Sequence, residues 1–386
     1  MLSPKYSAQL AKDIYLIKDP NTQELFTDIY SQDLEVSGSG SQKLDGETGA
    51  LVFLKNEHTM GIAAHGLGRY KGQAIVALKG TASGYDALTD LNAGVRRSHT
   101  GGAVHQGFYY SFASFLPQLE RFSQSLPSDV HTIHCVGHSL GGALATMTAD
   151  WLACNTSKTV KLYTFGSPRV GLDFFANECK KRLGEANIHR VYHSQDAVPM
   201  VPTWPFHHVP DGGLGDFLLP SPSSLNPITH HSSSTYVRSV APNDSDSLDW
   251  EDVRKLRPQG AFERDIEAWL ESDSMISLTL NTARIAGDAL LWVLKKVAEL
   301  AGITLVVGAG TAFTLLDRLA MLMHKAYQIS KDASFWVVRL IKRLAQLIGV
   351  RISSDVSITV AFIRMIFIRV HRAVSDLVLR AGRHVD

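Results

Sequence analysis

Apolar positions recur at helical spacing over Ala8–Tyr15, and short β-rich runs at Ala50–Leu54, Gly61–Ala64 and Ala74–Leu78 follow, bounded by Gly, Asn and Ser. A helical pattern over Phe108–Phe122 leads through Pro127 into the apolar run Thr132–Val136. A glycine ends that run, and a second helix, Leu140–Ala153, starts almost at once. Val160–Phe165 and Ile188–His193 have the look of further strands, with Asp173–Arg182 as the helix between them. Strands alternating with helices predict an α/β architecture, a mostly parallel central sheet covered on both faces.

Beyond that point the pattern changes. Thr203–Thr229 is rich in Pro, Gly and Ser with little periodicity, which predicts a long loop grafted onto the sheet. Ala241–Asp252 is polar and acidic and reads as a boundary, and Phe262–Leu270 as a short helix. The chain therefore divides into a first domain over 1–240, a linker with a short helix over 241–273, and an α-helical region over 274–386. Within the last, Leu300–Leu316 is 17 residues without a charge, which suits a short spanning helix and a packed hairpin helix equally. In Phe335–Val350 the charges Arg339, Lys342 and Arg343 are read on one side. In Ala361–Leu379 the same holds for Arg364, Arg369, Arg372 and Asp376. Basic stripes opposite broad apolar faces fit helices lying in a membrane interface, and they also fit a dimer or a partner-binding bundle.

Charge sharpens this division. The whole chain is near neutral, with 38 Lys+Arg against 37 Asp+Glu, which gives no footprint for nucleic acid. From Met275 onward there are 15 Lys/Arg and 7 Asp/Glu, a net of +8, so a basic tail follows an acidic body. Three cysteines, Cys135, Cys154 and Cys179, are not the framework of a disulfide-stapled domain and are read as buried packing residues. Charges at Lys5, Lys12, Asp13 and Lys18 interrupt the first residues, so no cleavable signal peptide is expected. That predicts a cytoplasmic or membrane-associated protein, or one exported by a signal-independent secretion system.

Chemistry enters at Gly137-His138-Ser139-Leu140-Gly141, a G-x-S-x-G placed between an apolar strand and a helix. That context suits a serine on a sharp strand-to-helix turn, where flanking glycines let strand and helix approach closely. The segment GHSLGGALA resembles the nucleophile elbow of the fungal-type, or class 3, lipases of the α/β-hydrolase superfamily. Four further segments are similar to that family: Ile75–Thr81, with Lys79 where the family has Arg, Val104–Phe108, Thr164–Gly171 and Ser194–Pro199. The resemblance runs from the first helix to about Tyr236.

A serine hydroxyl becomes an effective nucleophile when an imidazole takes its proton and a carboxylate fixes that imidazole. In the α/β-hydrolase order Ser, Asp, His, Asp196 follows the strand Ile188–His193 and matches the family's D-x-V-P. His207, His208, His230 and His231 are eligible as base. The resemblance selects His231, with Ser232 and Tyr236 after it, and gives His208 a structural role beside Val209. It also implies an oxyanion hole made by the N–H of Leu140 and by Thr81, and a lid over Ala82–Ser98 whose Tyr85, Leu88 and Leu91 share a helical face. His65, His105, His134 and His138 are read as structural, and the histidine pairs lack the spacing of a zinc site.

The sequence thus predicts a serine carboxylic-ester hydrolase acting on lipids, a triacylglycerol lipase or phospholipase A, without cofactor or metal. The C-terminal helices are expected to contact a membrane surface, and the oligomeric state is left open. The competing reading is a membrane-interacting or toxin-type protein whose helical region carries the activity, with the hydrolase domain as scaffold.

Overall fold

In the computed structural model, the described residues are 1–386 other than 37, 39, 49–55, 81–93, 203–204, 223–226, 243–247, 259–261, 273, 275, 302–314, 353–356 and 383–386. Ser3 caps the first helix by accepting the N–H of Tyr6 at 3.2 Å, and the chain enters α1 (Pro4–Asp13) and then α2 (Pro20–Tyr30). β1 (Ser41–Thr48), β2 (Asn56–His65) and β3 (Gln73–Leu78) pair antiparallel in succession. Two short strands, β4 (Val95–Arg97) and β5 (Ala103–His105), precede α3 (Gln106–Gln124). Then β6 (Thr132–His138), α4 (Leu140–Asn155), β7 (Thr159–Phe165), β8 (Gly171–Leu172), α5 (Asp173–Leu183) and β9 (Ile188–His193) follow. β10 (Phe206–His207) and β11 (Asp216–Leu219) complete the strands.

The main sheet runs β1-β2-β3-β6-β7-β9-β11, parallel from β3 to β11, and β4, β5, β8 and β10 make a small second sheet. All seven residues of β6 are buried, as a central parallel strand requires. Phe108, Phe112, Phe115 and Leu144 pack on one face of the main sheet, and Leu10, Ile14, Phe26 and Tyr236 on the other. The predicted strand Ala50–Leu54 lies outside the described residues. The reading of Thr203–Thr229 as a loop needs correction, because it holds β10, β11 and a short helix. β11 was missed since only four apolar-rich residues, Asp216–Leu219, carry it among Pro and Gly. Cys154 is exposed, against the expectation for all three cysteines, while Cys135 and Cys179 are buried.

After the sheet come α6 (Pro227–His231), α7 (Ser233–Val240) and α8 (Trp250–Lys255). Trp250 lies in the core on the α1 face of the main sheet beside Tyr163, His189 and Phe217 and donates its indole N–H to the carbonyl of Leu2 at 3.0 Å. α9 (Phe262–Glu271), α10 (Leu280–Ala301), α11 (Leu315–Ile329), α12 (Lys331–Leu347) and α13 (Val360–Gly382) then form a helical unit with its own core.

The apolar faces read as lipid-facing are turned into that core, through Val337, Leu340, Ile341 and Leu344 of α12 and Ile363, Ile366 and Phe367 of α13. Nor do the three cations of α12 share a solvent face. Arg343 is buried over the ring of Trp269 and donates to the carbonyl of Ser274 at 2.8 Å, whereas Lys342 is exposed. Arg364, Arg369 and Arg372 of α13 are exposed, with Arg364 paired to Asp317. Among the described residues no helix is long and apolar enough to cross a membrane, and most of Leu300–Leu316 lies outside them.

Candidate active site

The serine sits where strand β6 turns into helix α4, and its backbone is forced there. Ser139 has φ 57° and is the non-glycine residue with positive φ among those described, a conformation costing roughly 1–3 kcal/mol. Its neighbours make the turn possible: a Cβ on Gly137 would stand 2.2 Å from the carbonyl oxygen of Gly141. The turn projects Ser139 Oγ to 2.9 Å from His231 Nε2, and His231 Nδ1 lies 2.8 Å from Asp196 Oδ2. All three side chains are buried. The structure therefore brings together Ser139 from the end of β6, Asp196 from the loop after β9, and His231 from the end of α6.

Protonation follows from donors and acceptors. Burial by itself would raise the Asp196 carboxyl, but His231, the hydroxyl of Tyr236 at 2.6 Å and the N–H of Val198 at 2.9 Å outweigh it and hold it below its ordinary range. An ionised Asp196 only accepts, so Nδ1 of His231 carries the proton and Nε2 is free to accept the serine O–H. His230 is buried beside it, but no described hydrogen bond joins its ring to Ser139 or Asp196. His208 is buried as well, and burial together with Arg190 and Arg169 pushes its imidazole well down, so it stays neutral.

Two histidines do more than the sequence suggested. His138 places Nε2 at 2.7 Å from the main-chain carbonyl of His231, and His193 places Nδ1 at 2.7 Å from that of His230. A carbonyl accepts, so both imidazoles donate through those nitrogens and accept through the others, His138 from Tyr15 O–H at 3.2 Å and His193 from Ser239 at 2.9 Å. Burial depresses both, His138 to about 3, which keeps them neutral as this pattern needs. Tyr15 in turn accepts the N–H of Gly80 at 3.1 Å, linking the turn before Thr81 to the base. Nothing local marks Tyr15 or His193 in the sequence, because both act on backbone groups distant in the chain.

Gly166 explains part of the F-G-S-P-R segment. It has φ 57°, and a Cβ there would lie 2.7 Å from Asp196 Oδ2 and 3.0 Å from His231 Nδ1. Gly166→Ala is expected to strain the backbone by about 1–2 kcal/mol and to push the carboxylate aside. Displacements near 1 Å cost on the order of 100-fold, so kcat should fall by about that factor while circular dichroism stays native. Unchanged kcat would show that the Asp–His geometry has slack.

Tyr236→Phe tests the carboxylate's supply of donors. A depressed folded pKa contributes stability that is present above the unfolded value near 3.9 and is lost as pH falls through the folded value. Removing the Tyr236 donor should therefore cost about 1.5–3 kcal/mol at pH 7, and less at pH 3, where the carboxyl of the unfolded chain is largely protonated. Melting curves at the two pH values check this, and a gap that is equal at both would reject it.

The N–H of Leu140 is among the first four of α4, which have no acceptor within the helix, so it is available to an oxyanion beside Ser139. Thr81 and most of the predicted lid, including Tyr85, Leu88 and Leu91, lie outside the described residues. Among the described residues no cluster of three His, Cys, Asp or Glu side chains is placed to hold a metal.

Part of the chain carrying this geometry is similar to known proteins. Residues 75–206 match the family model described as lipase (class 3). A secreted mono- and diacylglycerol lipase 1 of Fusarium solani is 34% identical over 134 residues, 34% of this chain and 39% of the relative. Toxin TseL of Vibrio cholerae is 33% identical over 122 residues, 30% of this chain and 18% of that protein. A phospholipase A1-II 1 of Oryza sativa subsp. indica is 31% identical over 134 residues, 33% of each chain. The matches thus span well under half the length of each relative. Through the elbow, the sheet around it and the matched segment, residues 75–206 of the chain are similar to the class 3 lipases.

Proposed function

We propose that the chain is a carboxylic-ester hydrolase acting on lipids through an acyl-Ser139 intermediate. The observation that carries this is the continuous hydrogen-bonded line from Ser139 Oγ through His231 to Asp196, at 2.9 and 2.8 Å. Ser139 attacks the ester carbonyl while His231 Nε2 takes its proton, and Asp196 stabilises the imidazolium. The oxyanion faces the N–H of Leu140, with Thr81 as the second donor by family resemblance. Collapse expels the alcohol, which leaves with the proton from His231. Water then attacks the acyl-enzyme with the same base, releasing the carboxylic acid and restoring Ser139. The names of the Fusarium and rice relatives support glycerolipids as the substrate class. The reading in which the helical unit carries the activity is disfavoured by a triad complete at hydrogen-bonding distance.

Incubating the purified protein with triacylglycerol, phosphatidylcholine and phosphatidylglycerol vesicles should release free fatty acid from at least one of them, and the product profile assigns the lipid class. Release from none would end the proposal. Contact with a membrane surface belongs to the same proposal, and exposed Arg364, Arg369 and Arg372 on α13 support it. With about 1 kcal/mol per basic residue near an anionic surface, replacing all three by Gln should weaken binding to phosphatidylglycerol vesicles on the order of 100-fold at low salt. Equal binding of variant and parent would remove the membrane role of this face.

A further inference from the structure

Between the hydrolase unit and the helical unit lies a cavity of about 400 Å³. Its lining is two-faced. Leu290, Leu319, Leu344 and Phe367 close it from the core of the helical bundle, whereas Arg169, Arg190, Asp216 and Arg257 line it from the hydrolase side. Three carboxylates on its wall already have partners: Asp216 pairs with Arg190 at 2.8 Å, Asp211 is hydrogen-bonded to His207 at 3.2 Å, and Asp288 lies 3.7 Å from Arg284. Asp196 also touches the wall, but its oxygens are taken by His231, Tyr236 and Val198.

Two guanidinium groups on the wall form no ion pair within 4 Å among the described residues, although Asp211 and Asp288 lie near enough to Arg169 to act on its charge. Arg169 donates to the main-chain carbonyls of Met200 and Pro202, and the exposed side chain of Arg257 has no partner among the described residues. An apolar chamber with two such cations on its wall suits a ligand with one chain and one negative head, and the volume is at the lower end for small-molecule sites, which run roughly from 300 to 1,000 Å³.

We infer that this cavity binds a single-chain anionic amphiphile, with its carboxylate or phosphate head at Arg169 and Arg257 and its chain among Leu290, Leu319, Leu344 and Phe367. The choice of a fatty carboxylate as the first probe rests on the hydrolase reading, since ester cleavage would generate that compound, whereas the cavity itself does not. The site is distinct from the nucleophile, because neither Ser139 nor His231 lines it. It is nevertheless coupled to the triad by packing. α13 supplies Phe367, Val370 and Val374 to the cavity and lies against α6, whose last residue is His231. An occupant therefore braces the element that carries the base.

The test is calorimetric titration of the full-length, delipidated Ser139→Ala protein, so that binding is read without turnover and failure of the hydrolase reading leaves it interpretable. Laurate should saturate one site, and dodecanol, which has the chain without the charge, should bind at least about tenfold more weakly, as loss of a charge-assisted contact predicts. Lauroyl lysophosphatidate is the second anionic probe, and the tighter of the two names the head group. Arg257→Gln should weaken laurate by about tenfold, and Leu319→Trp should abolish its binding by filling the chamber. Should Leu319→Trp misfold, Arg257→Gln decides alone, because its side chain is exposed and its replacement leaves the fold intact. No saturable site, dodecanol binding as tightly as laurate, or laurate binding unchanged in the variants would each overturn the inference.

Discussion

Ser139→Ala lowers ester hydrolysis by about 10⁴- to 10⁶-fold while the protein keeps its fold and its melting temperature. The expectation has two parts. Removing Oγ removes the only atom in this line able to form the acyl intermediate, and His231 cannot substitute for it because its Nδ1 is committed to Asp196 at 2.8 Å. The strained turn, on the other hand, is untouched. Alanine keeps the same Cβ at φ 57°, the flanking glycines still admit the close approach of β6 and α4, and the N–H of Ser139 still donates to the carbonyl of Phe165 at 2.9 Å. A chromogenic short-chain ester and a thermal melt suffice to check both parts. Near-parental turnover in the variant would mean that another group is the nucleophile.

Replacing His231 by Ala removes the proton acceptor and should cost turnover by a comparable factor, whereas His230→Ala should cost little. The contrast is a sharp one because the residues are adjacent and both buried. The ring of His231 reaches both Ser139 and Asp196, at 2.9 and 2.8 Å. What His230 gives the site in the described contacts is a main-chain carbonyl, accepting from His193, and alanine retains that carbonyl. His231→Ala also leaves the Asp196 charge buried without its main partner, which typically costs 3–5 kcal/mol, so melts must accompany the rates. His230→Ala as the more severe loss of kcat, in folded protein, would reassign the base.

How much of this could be read from the chain alone depended on whether the information was local. The elbow, the strand before it and the helix after it are contiguous, and Gly137, Ser139 and Gly141 announce them. Asp196 and His231 came from short segments resembling the family, and the histidine choice among four candidates rested on Ser232 and Tyr236. Tyr236 proves to donate to Asp196 at 2.6 Å. Where tertiary contacts decide, the pattern misled. β11 is four residues in a Pro- and Gly-rich stretch, and it reads as a strand only once β9 lies beside it. Arg343 was read as a surface cation, yet it is buried because Trp269 and the carbonyl of Ser274 take up its guanidinium. The apolar faces of α12 and α13 carry the same periodicity whether they meet lipid or one another.

The imidazoles of His138 and His193 bear on how such a site tolerates change over evolutionary time. Between Asp196 and His231 the chain passes through the short strands β10 and β11, and an error in the length of the connections around them would ordinarily be passed on to the base. Here the two carbonyls at the end of α6 are tied instead to residues at the ends of β6 and β9, the strands that deliver Ser139 and Asp196. The base is thus surveyed from the sheet and not from the loop that leads to it. Insertions and deletions in the connections around β10 and β11 can then accumulate without detuning the triad, provided these two fixed points and the pairing of β11 with β9 survive.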